Sequence, residues 1–117
     1  MKYLALIYTD PAREQAMTAE ERDANLAQYM EFGRLGREQG KVLGGNELAS
    51  VSSATRVQVI GGETVVTDGP YAETREQLGG YYMLECDSVD DAVELAAKIP
   101  GAAHGAIEVR PVYVEEE

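Results

Sequence analysis

Lys2-Tyr3-Leu4-Ala5-Leu6-Ile7-Tyr8 is the stretch on which the fold turns. It is rich in Tyr, Leu and Ile and is stopped by Asp10-Pro11, so it reads as a β-strand. Successive side chains of a strand point to opposite faces, which puts Leu4, Leu6 and Tyr8 on one face and Tyr3, Ala5 and Ile7 on the other. Both faces are apolar. Residues 81–84 read the same way. A sheet built around two such strands needs cover on both sides, because exposed apolar area costs roughly 25 cal/mol per Å².

The neighbouring segments supply cover for one side. A first helix begins at Thr18-Ala19-Glu20-Glu21, a capping box in which Thr18 accepts from the backbone three residues on and Glu21 reaches back. Leu26, Tyr29, Met30 and Gly33 recur at helical spacing and form its expected apolar stripe. Gly40 ends it with a left-handed cap. Gly33 and Gly36 each weaken this helix by roughly 1 kcal/mol relative to Ala, a cost that close approach to a sheet would offset. A second helix is capped by Ser88, carries Ala92, Leu95, Ala96 and Ile99 on one face, and stops at Pro100-Gly101.

Between and after the helices lie the remaining strands. Lys41-Val42-Leu43 is a short one that runs into Gly44-Gly45. Arg56–Ile60 and Glu63–Thr67 flank Gly61-Gly62, a type I′ hairpin signal. The loop from Asp68 to Gly80 leads to a strand at about 81–86. A last strand at about 106–114 carries Ile107, Val109 and Val112. With the hairpin set aside, the order is strand–helix–strand–strand–helix–strand, a ferredoxin-like α+β pattern. Two helices cover only one sheet face. The expected cover for the second is the same face of another copy, which makes the protein a homodimer.

The 117-residue chain is expected to be a single domain, 1–117. Its 10 basic and 21 acidic residues give a net charge of −11. Such a chain repels phosphate backbones and anionic headgroups, which argues against direct nucleic-acid or membrane binding. Glu115-Glu116-Glu117 reads as a solvated tail. Cys86 is the only cysteine, so neither an internal disulfide nor a thiolate metal cluster is available. It sits in an apolar run and reads as a small hydrophobe. The apolar opening is broken by Thr9-Asp10-Pro11 with no small-residue cleavage site after it, and no run approaches the roughly 18 apolar residues of a membrane span. The expected location is the cytoplasm.

The run Val66-Thr67-Asp68-Gly69-Pro70-Tyr71-Ala72-Glu73-Thr74-Arg75-Glu76-Gln77-Leu78-Gly79-Gly80-Tyr81-Tyr82 closely resembles the signature of the DGPF branch of the YCII-related family. So do the opening Met1–Tyr8 and the ending His104–Pro111. Tyr71 stands where the family usually has Phe, and Arg75 where Lys is common. The resemblance implies a dimeric α+β barrel of ferredoxin-like subunits. It also implies an active site with an Asp and a His, which map to Asp68 and His104. Some members of the family are fused to, or encoded beside, sigma factors of the extracytoplasmic-function type.

Each of these residues also has a plainer reading. Asp-Gly-Pro after a β-run is what a tight turn needs, and a lone histidine is more often a surface residue than a catalyst. Imidazole, which ordinarily titrates near pH 6.5, is nonetheless the one side chain suited to proton transfer near neutral pH. His104 carries the only one here, with Asp68 to orient it. Glu73, Arg75, Glu76 and Gln77 read as a solvated helical turn, or as a lid over a pocket beside Asp68 with Gly79-Gly80 as hinge. Tyr8, Tyr71 and Gln77 are the expected substrate contacts. The usual nitrogen and sulfur ligands of zinc are missing, and neither double-glycine pair has a phosphate-loop pattern, so no metal or cofactor is expected. The expected function is a small-molecule pocket whose Asp-His dyad transfers a proton, isomerase- or lyase-like. The alternative is a non-catalytic ligand-sensing or regulatory dimer with a sigma factor or another basic protein as partner.

Overall fold

The structure is a computed structural model that describes residues 1–68 and 76–114. Strand β1 (Lys2–Thr9) leads directly into a short helix, α1 (Pro11–Gln15). Asp10 accepts from the Ala12 N–H at 2.9 Å, and Pro11 occupies the first helical turn, where its missing N–H costs nothing. Asp10-Pro11 reads in the sequence as a stop signal alone. The same pair also starts a helix.

The capping box predicted at Thr18 is present. Thr18 Oγ1 accepts from the Glu21 N–H, and Glu21 Oε1 accepts from the Thr18 N–H, each at 3.1 Å. It opens α2 (Ala19–Glu38), and Gly40 follows the helix with φ +70°. The buried stripe is displaced from the predicted one. Phe32, Gly33 and Gly36 are buried and Tyr29 packs against the core, whereas Leu26 and Met30 are 55% and 66% exposed. Gly36 sets the approach of the helix: a Cβ there would overlap Val42 Cγ2 and lie 2.9 Å from its Cβ.

Strand β2 (Val42–Glu47) does not stop at Leu43 but continues through Gly44-Gly45, with a register shift between Val42 and Gly44. A side chain at Gly45 would collide with the Tyr81 carbonyl oxygen, so the glycine permits close pairing rather than ending the strand. Strands β3 (Thr55–Ile60) and β4 (Glu63–Asp68) form the predicted hairpin, with φ values of 58° and 81° at Gly61 and Gly62. Strand β5 (Gln77–Glu85) begins before the expected position, with Gln77 paired to Thr9. Gln77 is therefore a strand residue, not part of a helical turn. Gly79-Gly80 lie within that strand at a register shift, where backbone pairing removes the freedom a hinge needs. Glu73 and Arg75 lie outside the described residues.

Ser88 Oγ accepts from the Asp91 N–H at 3.2 Å and caps α3 (Val89–Ala96). A tight helical turn at Pro100–Ala103 precedes β6 (Ala106–Pro111). This last strand is shorter than 106–114, ending at Pro111, although the Val112 N–H still reaches the Lys2 carbonyl at 2.9 Å.

The strands form an antiparallel sheet of order β2-β5-β1-β6, and β3-β4 stand apart from it. This is the ferredoxin-like α+β arrangement. Tyr3, Ala5, Ile7, Val42 and Leu84 meet Phe32, Ala92, Leu95, Ala96 and Ile99 in one core, which Cys86 joins. On the far face, Leu4 lies opposite Met83 and Leu6 opposite Tyr81 across the β1–β5 ladder, and no described element covers them. The hairpin is exposed along its whole length, with Val59 70% accessible. The radius of gyration is 16.3 Å, against about 13 Å for a compact domain of this size. Two strands alone are marginally stable in water, and among the described residues no helix or further strand packs on this arm. Among the described residues no helix is long and apolar enough to cross a membrane.

Candidate functional site

Beyond the core, two of the sheet positions beneath α2 are glycines, Gly45 and Gly80. Gly45 pairs with Tyr82 and Gly80 with Ile7, and both partners point towards the helices. Without side chains at these two positions, a cleft of about 540 Å³ remains beneath α2. That volume suits a small organic molecule. Gly79 and Gly101 also line it, so glycine backbone forms part of its floor, beside Ile7, Thr9, Asn46 and Tyr82. The same absence explains why Leu26 and Met30 are exposed: they stand on the wall of the cleft instead of in the core.

His104 lines this cleft. Its backbone N–H donates to the Gly101 carbonyl at 3.2 Å, closing the turn that follows Pro100. At Gly105 a Cβ would overlap the Tyr8 carbonyl oxygen, so the chain beside His104 is pressed against β1. The imidazole itself is exposed, as a group exchanging protons with a bound molecule or with water must be.

Two phenols face the same space. Tyr29 is held by a hydrogen bond from the Gly101 N–H, and burial pushes its pKa above the usual tyrosine range despite that bond. Tyr82 stacks at a tilt on Phe32, centroids 5.0 Å apart. Burial raises its pKa too, with Arg37 opposing the shift and Glu47 adding to it. Both therefore remain neutral near pH 7 and can donate hydrogen bonds.

The other sequence-derived candidates lie elsewhere. Tyr8 belongs to the sheet face opposite the helices, in register with Leu78 and Ala106. Asp68 ends β4, paired with Thr55 in the exposed hairpin. Gln77 opens β5. None of these three is among the cleft residues. Tyr71 lies outside the described residues. Tyr29, Tyr82 and Arg37 escape a sequence reading that treats aromatics as filler and helix charges as solvated. Their signal is paired glycines inside strands, together with Tyr29, Gly33 and Arg37 at four-residue steps on one helix face.

Cys86 is buried, and burial pushes its thiol pKa up, which leaves it a poor nucleophile. Among the described residues no three His, Cys, Asp or Glu side chains converge on a point that could hold a metal.

Fold and site together define a ferredoxin-like α+β protein with one sheet face that no described element covers and a cleft beneath its long helix. The chain belongs to the YCII-related family, whose domain signature matches residues 1–116. It is 36% identical to an uncharacterized protein of Rhizobium meliloti, over 96% of this chain and 92% of that one. Among solved structures it is similar to the 5-chloro-2-hydroxyhydroquinone dehydrochlorinase of Burkholderia phenoliruptrix in complex with 2,5-dihydroxybenzoquinone. That likeness has a TM-score of 0.56 and covers 97% of this chain and 94% of the other. At 16% identity it is a likeness of fold.

Proposed function

We propose that the protein is a cytoplasmic, homodimeric enzyme that moves a proton on a small organic substrate, isomerase- or lyase-like, in the cleft beneath α2. The observation that carries this is the placement of the sole imidazole, His104, on that cleft beside two neutral phenols. His104 takes or gives the proton. Tyr29 and Tyr82 donate to oxygen atoms where negative charge develops, the role of oxyanion-stabilising donors. The family resemblance alone names Asp68 as the orienting partner of His104, since Asp68 is not among the residues of the cleft. An enzymatic role is in keeping with the similar Burkholderia structure, whose name is that of a dehydrochlorinase.

His104→Gln is expected to lower turnover of any substrate found for the protein by at least about 10²-fold, the usual contribution of a general acid or base. Steady-state kinetics reads this directly, and unchanged turnover removes His104 from the mechanism. A second reading, a ligand-sensing dimer acting on a sigma factor or another basic protein, draws support from the net charge of −11. Such a surface attracts basic partners and competes with nucleic acid for them. Failure to recover any basic protein in a pull-down would count against it.

A further inference from the structure

Arg34 and Arg37 are the same residue one helical turn apart, yet their surroundings differ. Arg34, on the solvent side of α2, donates to Glu31 at 3.1 and 2.7 Å and to Glu38 at 2.9 Å. Arg37 lines the cleft, folded back along the helix so that Nη1 would lie 3.2 Å from a Cβ on Gly33. Among the described residues its guanidinium has no ion-pair or hydrogen-bond partner, in a chain with 21 acidic residues. The Tyr82 hydroxyl beside it is likewise without a hydrogen-bond partner among the described residues, although the ring is packed on Phe32. A half-buried phenol and an arginine are thus directed at the same open space, with their donors unused.

We propose that Arg37 and Tyr82 form an anion anchor, and that the ligand of the cleft is a small planar monoacid. Its carboxylate, or an equally acidic enol oxygen, would take the planar fork of Arg37 and a hydrogen bond from Tyr82. Its ring would lie along Leu26 and Met30, the exposed apolar pair on the wall. Gly33, where the Arg37 fork lies, is four residues from Tyr29, which is bonded to the Gly101 turn that carries His104. Four residues advance a helix by about 6 Å, the length of a single ring bearing one substituent. An acid anchored by Arg37 therefore presents its far end to Tyr29 and His104. This substrate class rests on the cleft being the site of the proposed proton transfer.

The test is a titration of the intact protein with benzoate and with uncharged benzamide, followed by amide chemical shifts. Benzoate is expected to bind at millimolar concentration, to shift Gly33 and Gly80, and to bind about tenfold or more tightly than benzamide. Arg37→Gln should erase that preference by weakening benzoate alone, with Arg37→Lys intermediate. Arg34→Gln makes the same change in net charge and should leave binding as it was. Equal affinity for the two compounds, no benzoate binding, or an undiminished preference in a folded Arg37→Gln protein would each overturn the anchor. The titration reads binding alone. A His104→Gln variant with unchanged turnover would sink the proton-transfer reading and leave the anchor standing.

Discussion

Aspartate in place of Leu6 is expected to yield a folded monomer, and the unsubstituted protein is expected to form a dimer. Leu6 lies on central strand β1, opposite Tyr81 on one side and Glu108 on the other, in the middle of the face that α2 and α3 leave bare. In an isolated subunit the new carboxylate meets water there, so folding loses little beyond strand propensity, on the order of 1 kcal/mol. In a dimer joined through this face the same carboxylate is buried without a partner, at a cost of several kcal/mol. The dissociation constant should rise by roughly 10³-fold or more. Sedimentation velocity across a dilution series separates the cases. A parent chain that stays monomeric and well folded, or a Leu6→Asp protein that still pairs, contradicts the covered-face account.

Truncation of Leu84 to alanine acts on the other side of the same sheet. Leu84 is 0% exposed and, with Ile99, is among the largest fully buried side chains. It pairs with Tyr3 and Val42 across both neighbouring strands, at the packed end of the helix-covered layer. Leu→Ala at such a site costs about 2–5 kcal/mol, the lost transfer energy plus the cavity left behind. Against a total stability of about 5–15 kcal/mol, that is a large part of what holds a chain of this size. Urea unfolding followed by circular dichroism measures it. A loss below about 1 kcal/mol would mean that the core relaxes into the gap, and that Leu84 is not the keystone its burial indicates.

These two residues also mark how far the fold could be read from sequence. Alternation in Lys2–Tyr8 assigns the two faces of β1 correctly, because strand periodicity is fixed by backbone geometry. Thr18, Ser88 and Gly61-Gly62 announce helix starts and a turn through local hydrogen bonds and φ values that need no tertiary context. The family signature agrees with the matched family and with the ferredoxin-like fold. What local signals miss is set by contact between distant segments. Leu26 and Met30 fit a core stripe by spacing, but the sheet beneath α2 carries glycines, Gly45 and Gly80, so they flank a cleft. Gly44-Gly45 and Gly79-Gly80 read as a break and a hinge, whereas pairing between β2 and β5 makes them strand.

The site was legible only in part for the same reason. His104 stands out as the one histidine, and the structure puts it on the cleft. Tyr8 sits on a strand whose alternation sends it to the other face, away from the cleft. Arg37 looks like any helix charge until its neighbour Arg34 is seen to hold two glutamates, Glu31 and Glu38, while Arg37 holds none among the described residues.

Small molecules are expected to bind in the cleft between α2 and the sheet. This is tested most directly by nuclear magnetic resonance with a set of single-ring compounds, charged and uncharged, added to isotope-labelled protein. The sole imidazole gives its own resolved signals. Ligands are expected to move the His104 ring signals together with the amides of Gly33, Gly80 and Gly101. Ligands that instead shift Leu4, Leu6 and Met83 on the bare face, with His104 unmoved, would contradict it.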